Sequence, residues 1–81
     1  MFKYKNRYKD LYVNASAINE HTFDEINESI PSGYAIIKNE DDYTLFKDGA
    51  KERNFNEGDY VVIHDDMVTI MPEYVFNNLF I

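Results

Sequence analysis

Between positions 34 and 71, runs of about five apolar and aromatic residues alternate with clusters of Asn, Asp and Gly, and no other feature restricts the fold as tightly. Asx side chains bond their own backbone and glycine accepts positive φ, so each cluster is a place where the chain reverses. The alternation predicts strands at Tyr34–Lys38 and Tyr43–Lys47, joined by a turn over 39–42. Asp48-Gly49 is a two-residue hairpin signal leading to a strand over 51–55, and 56–59 turns the chain again. Tyr60–His64 and Met67–Met71 then form a last hairpin about Asp65-Asp66. Strands this short and closely connected are expected to run antiparallel, as a meander.

Two helices frame that series. Thr22-Phe23-Asp24-Glu25 matches a capping box, in which the Thr22 hydroxyl and the Glu25 carboxylate each satisfy a free backbone donor. Phe23, Ile26 and Ile30 fall on one face behind it, and Pro31, Ser32 and Gly33 stop the helix after two to three turns. Upstream, 8–18 reads as a strand with its approach, with Leu11, Val13, Ala15 and Ala17 alternating onto one face. Downstream, Pro72 suits the first turn of a short C-terminal helix whose stripe is Val75, Phe76, Leu79 and Phe80. The expected fold is α+β: a small antiparallel sheet with one internal helix and a short C-terminal helix. No repeat, linker or change of composition divides the chain, so 1–81 is expected to be a single domain.

A chain of 81 residues buries only about 60% of the surface its unfolded form exposes, which makes oligomerisation a natural source of extra stability. Cysteine is absent, which excludes disulfides and thiolate chemistry. No segment approaches the roughly 20 apolar residues that cross a bilayer, and a cytoplasmic location is expected. Fifteen acids against eight bases give a formal charge of −7, which opposes binding to duplex DNA. Seven of the eight bases are nonetheless clustered, as Lys3, Lys5, Arg7 and Lys9 and then as Lys47, Lys51 and Arg53. The plainer account of these clusters is solvated strand faces; the functional one is an anion site.

Three segments, in order, resemble a widespread family of small phage and prophage proteins. Tyr4-Lys5-Asn6-Arg7 with Val13, Ala15 and Ile18 is similar to its opening, and Phe23, Glu25 and Ile26 to its short helix. Gly58-Asp59-Tyr60-Val61-Val62, followed by Val75-Phe76 and Phe80, resembles its most diagnostic part, a glycine-aspartate-aromatic turn into a strand with a closing phenylalanine motif. Tyr8 and Pro72 stand where the family often has a proline and a basic residue, so roles at those two positions are not carried over. The resemblance implies an anti-CBASS sponge, which sequesters cyclic nucleotide signals of bacterial antiphage defence without cleaving them. It further implies a homo-oligomer, such as a tetramer, in the cytoplasm of the infected host and without a cofactor.

A sponge needs groups that hold phosphates and groups that hold bases. The candidate ligand-binding residues are Tyr4, Lys5, Arg7 and Tyr8 in the first basic segment, and Lys47, Lys51 and Arg53 about the Asp48-Gly49 turn. Arginine grips a phosphodiester through two donors, and a tyrosine face stacks a base for about 1–3 kcal/mol. Along one strand, however, Lys3, Lys5, Arg7 and Lys9 share a face while Tyr4 and Tyr8 take the other. Either the segment twists or loops, or the tyrosines enter the core and the bases are held from elsewhere, for which a neighbouring subunit is one source. In the second cluster, Lys51 and Arg53 are expected on one face. Backbone amides near Gly33, Gly49 or Gly58 are a further phosphate-binding option.

His64, Asp65, Asp66 and Asp59 are better read as turn formers than as metal ligands, and Gly58-Asp59-Tyr60 as a structural turn. With two isolated histidines and neither a phosphate loop nor a glycine-flanked serine, catalysis is not expected. Glu40-Asp41-Asp42 and Asp65-Asp66 motivate a second function of another class, an acidic mimic of nucleic acid that inhibits a host DNA-binding or nuclease protein.

Overall fold

The computed structural model describes residues 1–81 and contains nine elements. They are β1 (Phe2–Lys5), β2 (Tyr12–Ala17), α1 (Phe23–Ser29), β3 (Tyr34–Lys38), β4 (Tyr43–Lys47), β5 (Ala50–Phe55), β6 (Tyr60–His64), β7 (Met67–Met71) and α2 (Glu73–Leu79). The architecture is α+β with antiparallel pairing throughout. At the tip of the β4–β5 hairpin Asp48 and Gly49 both take positive φ, 51° and 82°, which matches the twist of the strands they join.

The strands divide into two sheets, β1-β2-β6-β7 and β3-β4-β5. The meander therefore holds for β3 to β5 and then breaks, because β6 pairs with β2 instead of β5. Burial explains the switch. Val61 and Val62, successive in β6, are both buried, so this strand needs cover on its two faces and belongs in the middle of a sheet. Strand β5 is exposed from Ala50 to Asn54 and suits an edge. The 56–59 turn directs the exchange: the Gly58 N–H donates to the Ile18 carbonyl, and the Ile18 N–H donates to the Asp59 carbonyl.

The four-stranded sheet is packed on both sides. One face joins Val61, Val68 and Ile70 to Ile26 of α1 and to Ile36, Tyr43, Leu45 and Phe55 of the smaller sheet. The other face places Val13, Ala15 and Val62 beneath Phe76 and Phe80. Tyr60 stacks on Phe76 at 4.0 Å, and Phe80 follows at 5.1 Å. Residues after α2 then cover part of the β1 edge, with Ile81 exchanging backbone hydrogen bonds with Lys5.

Within 8–18 the strand runs from Tyr12 to Ala17, and in its approach the Asn6 side chain accepts the N–H groups of Tyr8 and Lys9 and bends the chain. Two local expectations are corrected. The capping box does not form. The Thr22 hydroxyl instead donates to the Ala17 carbonyl and accepts from the Asn19 N–H, while Glu25 pairs with the Met1 ammonium. Asn19 takes over as the turn former before α1, its side chain accepting from His21 and Thr22. Pro72 precedes the first helical residue of α2 by one position, and its carbonyl accepts the Phe76 N–H.

Candidate functional site

The β1–β2 register decides what the N-terminal segment presents. Lys3 lies opposite Asn14 and Lys5 opposite Tyr12, so the two lysines share a face with the Tyr12 ring. Their ammonium groups stand 4.7 and 6.0 Å from its centroid, and Tyr12 is half exposed. Tyr4 points the other way, edge-on against Phe76 at 4.9 Å. Tyr8 is exposed in the bend after β1. Both resolutions of the geometric conflict thus occur together, since the segment loops and Tyr4 packs inward. The aromatic on the lysine side is Tyr12, which sequence reasoning passed over; only the hairpin register brings it there.

Arg7 has a different employment. Its Nε donates to the carbonyls of Asn77 and Phe80, at 3.0 and 3.1 Å, and so satisfies acceptors that the end of α2 leaves free. The Arg7 N–H also donates to the Leu79 carbonyl.

The second basic cluster does not converge. Arg53 pairs with Leu45 and Lys51 with Phe46, leaving Glu52 as the extra residue of a bulge. Leu45 and Phe46 are successive in β4, so Lys51 and Arg53 lie on opposite faces rather than on one. Arg53 turns toward the larger sheet, where Nη1 donates to the Ile70 carbonyl at 3.1 Å. Lys47 sits over the Tyr34 ring at 5.5 Å.

Among the glycines, the Gly58 N–H is already engaged, and the space beside Gly33 is filled by the Asp48 carboxylate, 2.8 Å from where a β-carbon would stand. The Gly58-Asp59-Tyr60 motif has a complete structural account. Gly58 has φ 92°, Asp59 Oδ2 accepts the Asn56 N–H, and Tyr60 joins the aromatic stack.

One recess of about 170 Å³ opens at the loop end of the smaller sheet. Glu20 from the approach to α1, Glu57 from the β5–β6 turn and the acids of 40–42 line it, with Lys38 at the rim and Tyr43 within. Burial raises the Tyr43 hydroxyl above its ordinary pKa, and Glu57 and Glu20 raise it further. No group of three His, Asp or Glu side chains is placed to hold a metal ion. The sequence shows the acids of 40–42 as a run, but not that Glu20 and Glu57 join them. Neither histidine lines the recess: His21 stands 3.8 Å from the carboxylate of Glu20, and His64 stands 3.8 Å from that of Asp65.

Set against protein families, curated proteins and solved structures, the chain matches none. No helix is long and apolar enough to cross a membrane.

Proposed function

We propose that this protein binds and sequesters a cyclic dinucleotide or related cyclic oligonucleotide without cleaving it, in the manner of a viral anti-CBASS sponge acting as a homo-oligomer. The observation that supports this reading is the pair of lysines sharing the half-exposed Tyr12 ring. Two ammonium groups offer six donors to phosphate oxygens, and the half-exposed ring beside them offers aromatic surface to a base. Tyr8, exposed on the adjoining bend, supplies a second ring. Lys3, Lys5, Tyr8 and Tyr12 form the core of the site, while Tyr4, Arg7 and Arg53 hold the scaffold. In a protein of charge −7 such a site needs local concentration of its few bases, and a second subunit extends it.

The test is a thermal-shift screen against cyclic nucleotides, followed by recovery of the ligand from denatured protein. The binding partner should raise the melting temperature, be recovered intact, and lose its effect with Lys3→Ala and Lys5→Ala combined. Degraded ligand points to an enzyme; no shift across the panel ends the proposal.

A second reading, an acidic nucleic-acid mimic that inhibits a host protein, draws on the acid-lined recess. A single host DNA-binding or nuclease protein retained at low salt and released steeply by added salt favours it.

A further inference from the structure

Asparagine is depleted in strands, because its short polar side chain competes for backbone hydrogen bonds and packs poorly on a pleated surface. Two strands of this protein contain one, and their situations differ. Asn54, in the edge strand β5, accepts the Thr44 hydroxyl at 2.9 Å and so helps to hold the sheet. Asn6, Asn19, Asn27 and Asn39 likewise use their side chains to fix turns or edges. Asn14 does neither. It lies exposed in β2, a strand fixed by β1 on one side and β6 on the other, and its carboxamide bonds nothing within the chain. A residue that opposes its local structure without a structural gain is the kind of departure that collects at functional sites.

We propose that Asn14 reads the base held against Tyr12, and that the preferred base is adenine. The inference rests on the sequestration reading above and names the ligand class of the same site. Asn14 stands opposite Lys3 and two residues beyond Tyr12, on the sheet face that carries both lysines. The two positions are about 7 Å apart along β2, so a purine laid on the ring directs an edge at the carboxamide. Across β2 its neighbour is Ile63, packed against the core, so the amide is a neutral group set between the phosphate-binding lysines and apolar surface. A carboxamide offers a donor and an acceptor side by side. Adenine presents the matching acceptor and donor on its Hoogsteen edge and again on its Watson–Crick edge, whereas the Hoogsteen edge of guanine holds acceptors only. Adenine therefore pairs through whichever edge faces Asn14, and guanine through one alone. Neither β1 nor β2 contains an acid, the group that best accepts the two adjacent N–H donors of guanine.

The experiment measures binding of cyclic di-AMP and cyclic di-GMP to the full chain by equilibrium dialysis, beside the melting temperature of the ligand-free protein, for the parent and for Asn14→Val. Valine suits a strand and forms no side-chain hydrogen bond, so the variant should melt at or above the parent temperature when free of ligand. The parent should bind cyclic di-AMP about tenfold more tightly than cyclic di-GMP. Asn14→Val should bind the two alike, through loss of affinity for cyclic di-AMP, and Asn14→Gln, which keeps the carboxamide, should retain part of the preference. Equal binding of the two by the parent, an unchanged preference in Asn14→Val, or a fall of several degrees in its ligand-free melting temperature would each overturn the assignment while leaving sequestration in place. Binding of neither compound also overturns it, and the wider panel of cyclic nucleotides then decides whether sequestration itself stands.

Discussion

Strands β6 and β5 are neighbours in sequence, one five and the other six residues long, yet they occupy opposite situations. β6 lies inside the larger sheet with Val61 and Val62 buried on its two faces, whereas β5 is an edge whose first five residues are exposed. The contrast extends to the sheets. The larger is enclosed by α2 on one side and by α1 with the smaller sheet on the other; the smaller is covered on one side alone, with Ile37 half exposed on its open face. The enclosed sheet is thus buried through two faces, whereas the half-covered sheet enters the core through one face only, with Ile36, Tyr43, Leu45 and Phe55. The acid-lined recess lies at the ends of that second sheet, and the lysine–tyrosine face lies on the β1–β2 hairpin at one edge of the first.

The largest expected effect breaks the enclosed side. Phe76 is buried at the centre of a stack with Tyr4, Tyr60 and Phe80, so Phe76→Ala removes a core side chain and its ring contacts together. A loss of about 3–5 kcal/mol is expected, a large share of the total for a domain this small. Phe46 projects from the open face of the smaller sheet and is only half buried, so Phe46→Ala should cost about 1 kcal/mol or less. Denaturant unfolding of the two variants measures the difference. Equal losses would mean that the open face is covered by something else, such as a second subunit.

The next effect concerns the edge of the smaller sheet. Asn27 of α1 donates to the Ile36 carbonyl and accepts its N–H, at 2.9 and 3.1 Å, acting as one residue of a missing strand. Asn27→Ala leaves both groups half-buried and unpaired, and a loss of about 1–3 kcal/mol is expected. Hydrogen exchange at the Ile36 amide should accelerate more than at Val62, inside the larger sheet.

Much of this contrast was legible in the sequence, for identifiable reasons. Tyr34–Lys38, Tyr43–Lys47, Tyr60–His64 and Met67–Met71 are flanked by turn residues whose chemistry is local, so their limits could be read directly. The pairing of β6 with β2 was not legible, because it joins segments far apart in the chain and depends on which strand can be covered twice. The same holds for the sites. Arg7 finds its acceptors 70 and 73 residues away, and Tyr12 becomes a neighbour of Lys3 only through the hairpin register. The bulge at Glu52, which sends Lys51 and Arg53 to opposite faces, carries no glycine to announce it.

A smaller effect is expected at the two arginines that hold the scaffold. Arg53→Met keeps the apolar stem but releases the Ile70 carbonyl, loosening the one side-chain hydrogen bond from β5 to β7. Arg7→Met likewise releases the last carbonyls of α2. Each should cost about 1 kcal/mol, since both side chains are largely exposed. Their exchange patterns should differ, with protection falling in β5 for the first and in residues 77–81 for the second. Loss of cyclic-nucleotide binding in Arg7→Met with α2 still protected would return Arg7 to the ligand site.

The smallest effect compares the two sheets through pH. Burial is the main cause that raises the pKa of both Tyr43 in the smaller sheet and Tyr60 in the larger, with Glu57 and Glu20 adding to the first and Tyr4 and Glu73 to the second. A raised tyrosine pKa means the folded state keeps a proton that the unfolded chain releases near its ordinary value of about 10. The unfolded state then binds fewer protons, so stability is fully present below about pH 10 and declines as pH rises through the folded pKa. Unfolding followed up the pH scale should show that decline, and Tyr43→Phe and Tyr60→Phe should each flatten part of it. Glu57→Gln separates the two: ultraviolet titration should show the Tyr43 phenol ionising at lower pH in this variant, with Tyr60 unmoved. If both tyrosines respond alike, the acids of the recess do not act locally on Tyr43, and the electrostatic distinction between the two sheets is lost.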